Sequence, residues 1–207
     1  AVIILIKLNP GYQIGIMDIK MPQITDVILV VLLAFCLFPV TSFTGQLNSG
    51  MDLPDWLSGV EQWMKEKEDY ATHLLDMLMT PDSFGAMILN ILMIAVMPAI
   101  GEELIFRGVF QKIFQNLFNS AHISVWVTSF LFSTIHFQFF GFVPRFILGL
   151  VFGYLFLWSK SLWLPVISHF ANNAVPVAGA YLLGWERLNG TTDIKVWEQI
   201  FVLPVPI

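Results

Sequence analysis

The apolar positions of this chain come in long blocks. Residues 27–51, 83–101, 113–144, 146–159 and 162–185 contain no Asp, Glu, Lys or Arg. A helix of about 20 apolar residues crosses the hydrocarbon of a bilayer. The blocks therefore predict five spanning helices, at about 24–43, 84–110, 121–139, 143–159 and 162–184. Between the first two lies a long polar stretch, 44–82. Its apolar residues at 56, 57, 60, 63, 64, 71, 74, 75 and 78 approximate helical spacing. With Trp56 and Trp63 among them, this segment reads as an amphipathic helix on the membrane interface. A solvated extramembrane helix is the other reading.

The expected fold class is all-α, a polytopic transmembrane helix bundle with about five spans plus one amphipathic or extramembrane helix. Residues 1–83 give an N-terminal span and the polar segment. Residues 84–184 give a helix-bundle core, and 185–207 a polar loop and the start of a further helix. The chain begins "AVIILIKL" without Met and ends "WEQIFVLPVPI". Both ends read as cut from a longer protein that has more helices.

Composition sharpens the membrane reading. Of 207 residues, 57% are hydrophobic and 12% charged, with a mean hydropathy of +0.74. An ordinary soluble domain is about 25% charged. The net charge of −5 is local, since eight of the 15 acidic residues fall within 52–82. No basic cluster points to nucleic acid. The one cysteine, Cys36, has no partner for an internal disulfide. Lys7 and Lys20 ahead of the first span place 44–82 on the non-cytoplasmic side, and Arg145 then falls on the less expected side. Gly149 and Gly153, four apart, allow close helix approach and need no reading beyond packing.

Ionisable groups inside spans are costly, so they mark functional sites by default. They occur here in three places. In "GEELIFR", Glu103 and Arg107 are one helical turn apart in the favoured ion-pair order. Glu102 is rotated about 100° from Glu103 and cannot share that partner easily. Glu103–Arg107 is therefore assigned a structural, positioning role and Glu102 the acid–base chemistry. In "FSTIHF", Phe132 and His136 are one turn apart. In "SHFANN", His169 and Asn173 are one turn apart, with Asn172 beside them. Each of these has an ordinary packing explanation. Together, on three separate spans, they point to one converging site. Depth is the difficulty: a second span ending at residue 106 would put Glu102 and His136 at opposite membrane faces. A helix over about 84–118, with Lys112 snorkelling and a kink at Pro98, removes it.

The motifs "EELIFR" (102–107), "FSTIH" (132–136) and "HFANN" (169–173) resemble, in order, the EExxxR, FxxxH and HxxxN/D patterns of the CPBP family of intramembrane proteases. This is the family of CAAX-processing and bacteriocin-processing (Abi) endopeptidases, whose eukaryotic members remove the terminal tripeptide of prenylated CAAX proteins. The stretches "RFILGLVFGYLF" and "SLWLPVISHF" are similar too, and the resemblance covers roughly residues 84–184. It implies that Glu102, with His136, activates a water. It implies that His169 and Asn173 stabilise the oxyanion, and that Glu103 and Arg107 hold the first motif. Preorganised oxyanion donors of this kind are commonly worth about 3–4 kcal/mol.

The family is often labelled metalloprotease. There is no HExxH, but Glu102, His136 and His169 could form a His₂Glu set for zinc or another divalent metal. The preferred mechanism requires no cofactor. The implied partners are the lipid bilayer and a peptide or protein substrate, prenylated in the CAAX case. The implied location is a multi-pass position in the plasma (inner) membrane of a bacterium. The competing reading is a non-enzymatic membrane protein, an immunity factor, scaffold or transporter-like relay using the same buried polar cluster.

Overall fold

The computed structural model describes residues 21–51, 53–79 and 83–183. The opening "AVIILIKL" and the expected polar tail 185–207 lie outside the described residues. Six helices make up the described chain, with no strand among the described residues. They are α1 (Ile24–Ser49), α2 (Ser58–Leu78, after a 3₁₀ turn at Asp55–Leu57), α3 (Phe84–Phe118), α4 (Ala121–Thr134), α5 (Phe142–Ser159) and α6 (Trp163–Leu183). The all-α expectation holds. Helix α6 packs against α1, α3 and α5, while α4 and α5 form a tight hairpin beside the C-terminal half of α3.

The bundle buries many polar side chains and turns many apolar ones outward. Glu103, Arg107, Gln111, Ser129, Arg145 and His169 are each at most 5% exposed. Ile28, Leu29, Leu32 and Phe35 on α1, and Ile88, Leu89, Leu92 and Met93 on α3, face outward. In water such a surface would be an association hazard; against lipid it is the stable arrangement. Among the described residues, three helices are long and apolar enough to cross a membrane: Ile24–Ser49, Phe84–Phe118 and Phe142–Ser159. The other two expected spans differ for a physical reason. Helix α4 has only 14 residues, because its chain turns at Ile135–His136 and Phe137 takes a left-handed φ of 52°. Helix α6 has 21 residues, but Ser168, His169, Asn172 and Asn173, all buried among other helices, dilute its apolarity.

Helix α3 is the continuous 35-residue helix that the depth argument required. At 1.5 Å per residue it is roughly 50 Å long, so Glu102 falls near its middle. Two π turns interrupt it, at Leu92–Val96 and Phe106–Phe110. The first explains how Pro98 is tolerated. A helical proline has no N–H for the carbonyl four residues back and crowds it. That carbonyl is Ile94 O, and the Asn173 side-chain amide donates to it at 3.2 Å. Polar side chains from neighbouring helices are the usual means of satisfying a carbonyl freed in this way. The kink expected at Pro98 is thus a π turn braced from α6.

The glycines of α5 do more than allow packing. Arg107 Nη2 donates to Gly149 O at 2.8 Å, and Gln111 Nε2 donates to Gly153 O at 3.1 Å. Two residues one turn apart on α3 thus ladder onto two glycines one turn apart on α5. On the other side, α4 closes in. A Cβ at Gly149 would lie 3.0 Å from Ser129 Cβ and 3.1 Å from Ser129 Cα, and one at Gly153 would lie 2.8 Å from Val125 Cγ1. Because the Ser129 contact is partly backbone, it cannot relax by a rotamer change. Gly149→Ala is expected to cost about 1–3 kcal/mol, read as a lowered unfolding midpoint in detergent. An unchanged midpoint would mean that α4 and α5 are not so closely apposed.

Helix α2 pairs Glu61 with Lys65 at 2.5 Å one turn apart. Lys65 holds the Glu61 carboxyl below the usual carboxylate range. Leu75 on α2 and Met79 just beyond it pack with Ile94, Val177 and Ala180, and the Asn90 side chain donates to Leu78 O. Farther along, Trp63 meets Phe137 edge-on at 6.3 Å. The polar segment is therefore an amphipathic helix docked on the bundle.

Candidate active site

The centre of the site is Glu103. Its side chain is fully buried, and so is that of Arg107. Arg107 Nη1 donates to Glu103 Oε1 at 3.1 Å, and Nε approaches Oε2 at 3.1 Å in a less well-aligned contact. The guanidinium is caged by Phe132, Phe152 and Phe106, at 5.1, 5.6 and 6.0 Å from the ring centres. Such contacts gain strength when water is excluded. The pair follows directly from i,i+4 spacing on one helix.

Glu103 has a second partner that the sequence analysis did not assign. His169 on α6 lies with Nδ1 2.9 Å from Glu103 Oε1. A carboxylate accepts, so Nδ1 carries the hydrogen and donates. The same ring stacks on Phe152, with centroids 5.0 Å apart and planes 17° apart, and meets Phe132 edge-on at 6.1 Å. Orientation is thus set by one ionic hydrogen bond and two aromatic walls. With Nδ1 committed, Nε2 is the nitrogen turned toward Glu102, 3.9 Å from Oε2. That is too long for a direct hydrogen bond. The Glu102 side chain is 17% exposed, against 0% for Glu103. Glu103 is thus tied to Arg107 and His169, while Glu102 is partly exposed beside His169.

His136 reaches the same region from the end of α4. Its Nδ1 lies 2.5 Å from Phe132 O and donates to it, so Nε2 is left as an acceptor. Phe132 stands between the two histidines, 5.1 Å from His136 and 6.1 Å from His169 by ring centroids. Glu102 is in ion-pair range of His169 and not of His136, so the expected Glu102–His136 pairing is not a direct contact. Asn173 has one amide hydrogen committed to Ile94 O and accepts from Asn172 Nδ2 at 3.2 Å.

The zinc alternative fits poorly. Among the described residues, no three His, Cys, Asp or Glu side chains come together as a metal set. Glu102, His136 and His169 are not grouped closely enough to hold one ion, and His169 Nδ1 is already held by Glu103.

One buried cation was overlooked. Arg145 is 1% exposed and its guanidinium bonds Gln138 twice, Nη1 to the backbone O at 3.2 Å and Nη2 to Oε1 at 2.5 Å. Its place on the unexpected side of the topology follows, since it serves the bundle interior and not the interface. It was visible in the sequence as the one charge interrupting residues 113–159.

The helices that carry this geometry were compared with known proteins. Residues 84–175 match the family described as Type II CAAX prenyl endopeptidase Rce1-like. The matched segment spans less than half of the chain. It opens with α3, ends within α6 and contains all three motifs. The CPBP resemblance read from the motifs is thereby supported over the Rce1-like segment. The chain is also 28% identical over 90 residues to the uncharacterized protein YpbD of Bacillus subtilis (strain 168), which covers 42% of this chain and 43% of that protein. The chain spans less than half the length of that curated relative. No solved structure matches it significantly. The membrane-crossing helices and the Rce1-like segment together describe an integral membrane protein.

Proposed function

We propose that this protein is an intramembrane endopeptidase of the CAAX-processing type, acting on a peptide or protein substrate at the bilayer. The observation that carries the reading is the meeting of α3, α4 and α6 around Glu103–Arg107–His169, with Glu102 left accessible beside His169. Glu102 takes a proton from a water whose oxygen attacks the scissile carbonyl carbon. The proton then passes to the amine as the C–N bond breaks. His136, with Nε2 free to accept, orients that water from the other side of Phe132. His169 in its protonated form, through Nε2–H, and the second amide hydrogen of Asn173 stabilise the oxyanion. No step needs a metal in this reading. The host membrane is the inner membrane of a bacterium, where an unprenylated, bacteriocin-like peptide is the main alternative to a prenylated substrate. The catalytic unit is the helix-bundle core of residues 84–184, beside the N-terminal span α1 and the amphipathic helix α2.

The test uses the full-length protein in phospholipid vesicles, given a farnesylated CAAX peptide and the same peptide unprenylated, with products read by mass spectrometry. Cleavage of at least one peptide is expected. His136→Ala should slow it by about 10²–10⁴-fold, the usual contribution of a positioned acid–base group. Cleavage that survives His136→Ala undiminished removes the mechanism. No cleavage of either peptide by a folded protein favours the non-enzymatic reading.

A further inference from the structure

The loop between α4 and α5, residues 135–141, carries His136 at its start and turns sharply at Phe137. A left-handed φ at a bulky aromatic residue is uncommon and persists only where the surroundings hold it. Here the surroundings are specific. One residue after Phe137, Gln138 is buried at 3% exposure, and both its backbone oxygen and its side-chain oxygen accept from Arg145. Gly141 makes room for that guanidinium, since a Cβ there would lie 2.5 Å from Arg145 Nη2. Ser133 Oγ donates to Phe142 O at 2.6 Å, closing the loop at its base. Glu68 of α2 accepts from the Phe140 N–H at 3.3 Å.

From this geometry we infer that Arg145 is a positioning residue for His136, acting through Gln138. The two-point clamp fixes the chain two residues beyond the imidazole. Phe132 O fixes the imidazole itself from the helix side. Between these two anchors His136 is held with Nδ1 donating to Phe132 O, which leaves Nε2 as the acceptor. Two hydrogen bonds from one planar guanidinium set direction as well as distance, which a lysine in the same place cannot do. Glu68, accepting from the Phe140 N–H, ties the same loop to α2. The inference rests on the reading of His136 as a site residue, and it assigns Arg145 no contact with substrate.

The experiment is histidine labelling of the full-length protein with diethylpyrocarbonate, mapped by mass spectrometry, which needs no substrate. His73 and His122 are exposed and serve as internal references, and His136 and His169 are buried at 4% and 5% exposure. Losing one hydrogen bond to a charged group shifts a local opening equilibrium by about tenfold or more. Arg145→Met and Gln138→Ala are each expected to speed His136 labelling by that factor while His169 keeps its rate. Gln138→Glu preserves both acceptor oxygens and should restore the slow rate. Unchanged His136 labelling in folded Gln138→Ala protein overturns the inference. An equal rise at His136 and His169 also overturns it, because that marks general loosening. Should Arg145→Met fail to fold, the Gln138 pair decides alone. These outcomes are independent of whether any peptide is cleaved.

Discussion

Arg107→Ala is expected to destabilise the protein by about 3–5 kcal/mol, the cost of breaking a buried ion pair from one side. The magnitude follows from what the truncation strands. Glu103 would keep a carboxylate with no exposed surface and lose both guanidinium contacts. The Gly149 carbonyl would lose its donor on the face where α3 meets α5. Phe132 and Phe152 would line an empty space where a cation now sits. Joint replacement, Glu103→Leu with Arg107→Met, should recover much of the loss, because a well-packed apolar pair can equal a buried ionic one. A double-mutant cycle on unfolding in mild detergent reads the coupling. A single-mutant loss below about 1 kcal/mol would be the signature of a solvated pair and would contradict the burial described. The apolar pair should not recover the fixed orientation of His169, whose Nδ1 needs the Glu103 carboxylate.

That dual use of Glu103 shows where sequence reasoning stopped. Local periodicity identified the Glu103–Arg107 pair, because both residues sit on one helix and spacing alone decides whether they meet. It also set Glu102 apart, by the same rotation. The length of α3 was recoverable from a consistency argument about depth. What periodicity cannot supply is the partner across helices. That His169 lands on Glu103 depends on how α6 crosses α3, where Asn173 bonds the Ile94 carbonyl within the π turn at Leu92–Val96. The Pro98–Asn173 relation, a missing donor answered from another helix, was present in the sequence as two unrelated oddities. Arg145 was missed for a different reason. It was weighed as a topology charge, although the rule used for Arg107, that a cation within an apolar run needs a buried partner, applied to it equally. Among the described residues, three of the five expected spans are helices long and apolar enough to cross a membrane. An inner helix such as α6 is uncharged yet rich in Ser, His and Asn, because its neighbours are other helices.

Glu102→Gln is expected to lower peptide cleavage by about 10²–10⁴-fold, the range for loss of a positioned general acid–base group, while leaving the unfolding midpoint nearly unchanged. The second half of that expectation gives the first its meaning. Glu102 is partly exposed, and its one ion-pair neighbour, His169 Nε2, stands 3.9 Å away. Replacing its carboxylate by an amide of the same shape removes little that holds the bundle together. Glu103→Gln should behave in the opposite way. Its amide would face Arg107 and His169 Nδ1–H with one acceptor oxygen where there are now two, so stability falls along with any activity. Adjacent residues, identical in chemistry, are thus separated by measuring two quantities on each variant. Equal loss of stability in both variants would mean that Glu102 is a structural residue like its neighbour. Full cleavage by folded Glu102→Gln protein would move the base elsewhere, with His136 Nε2 left as an acceptor for that role.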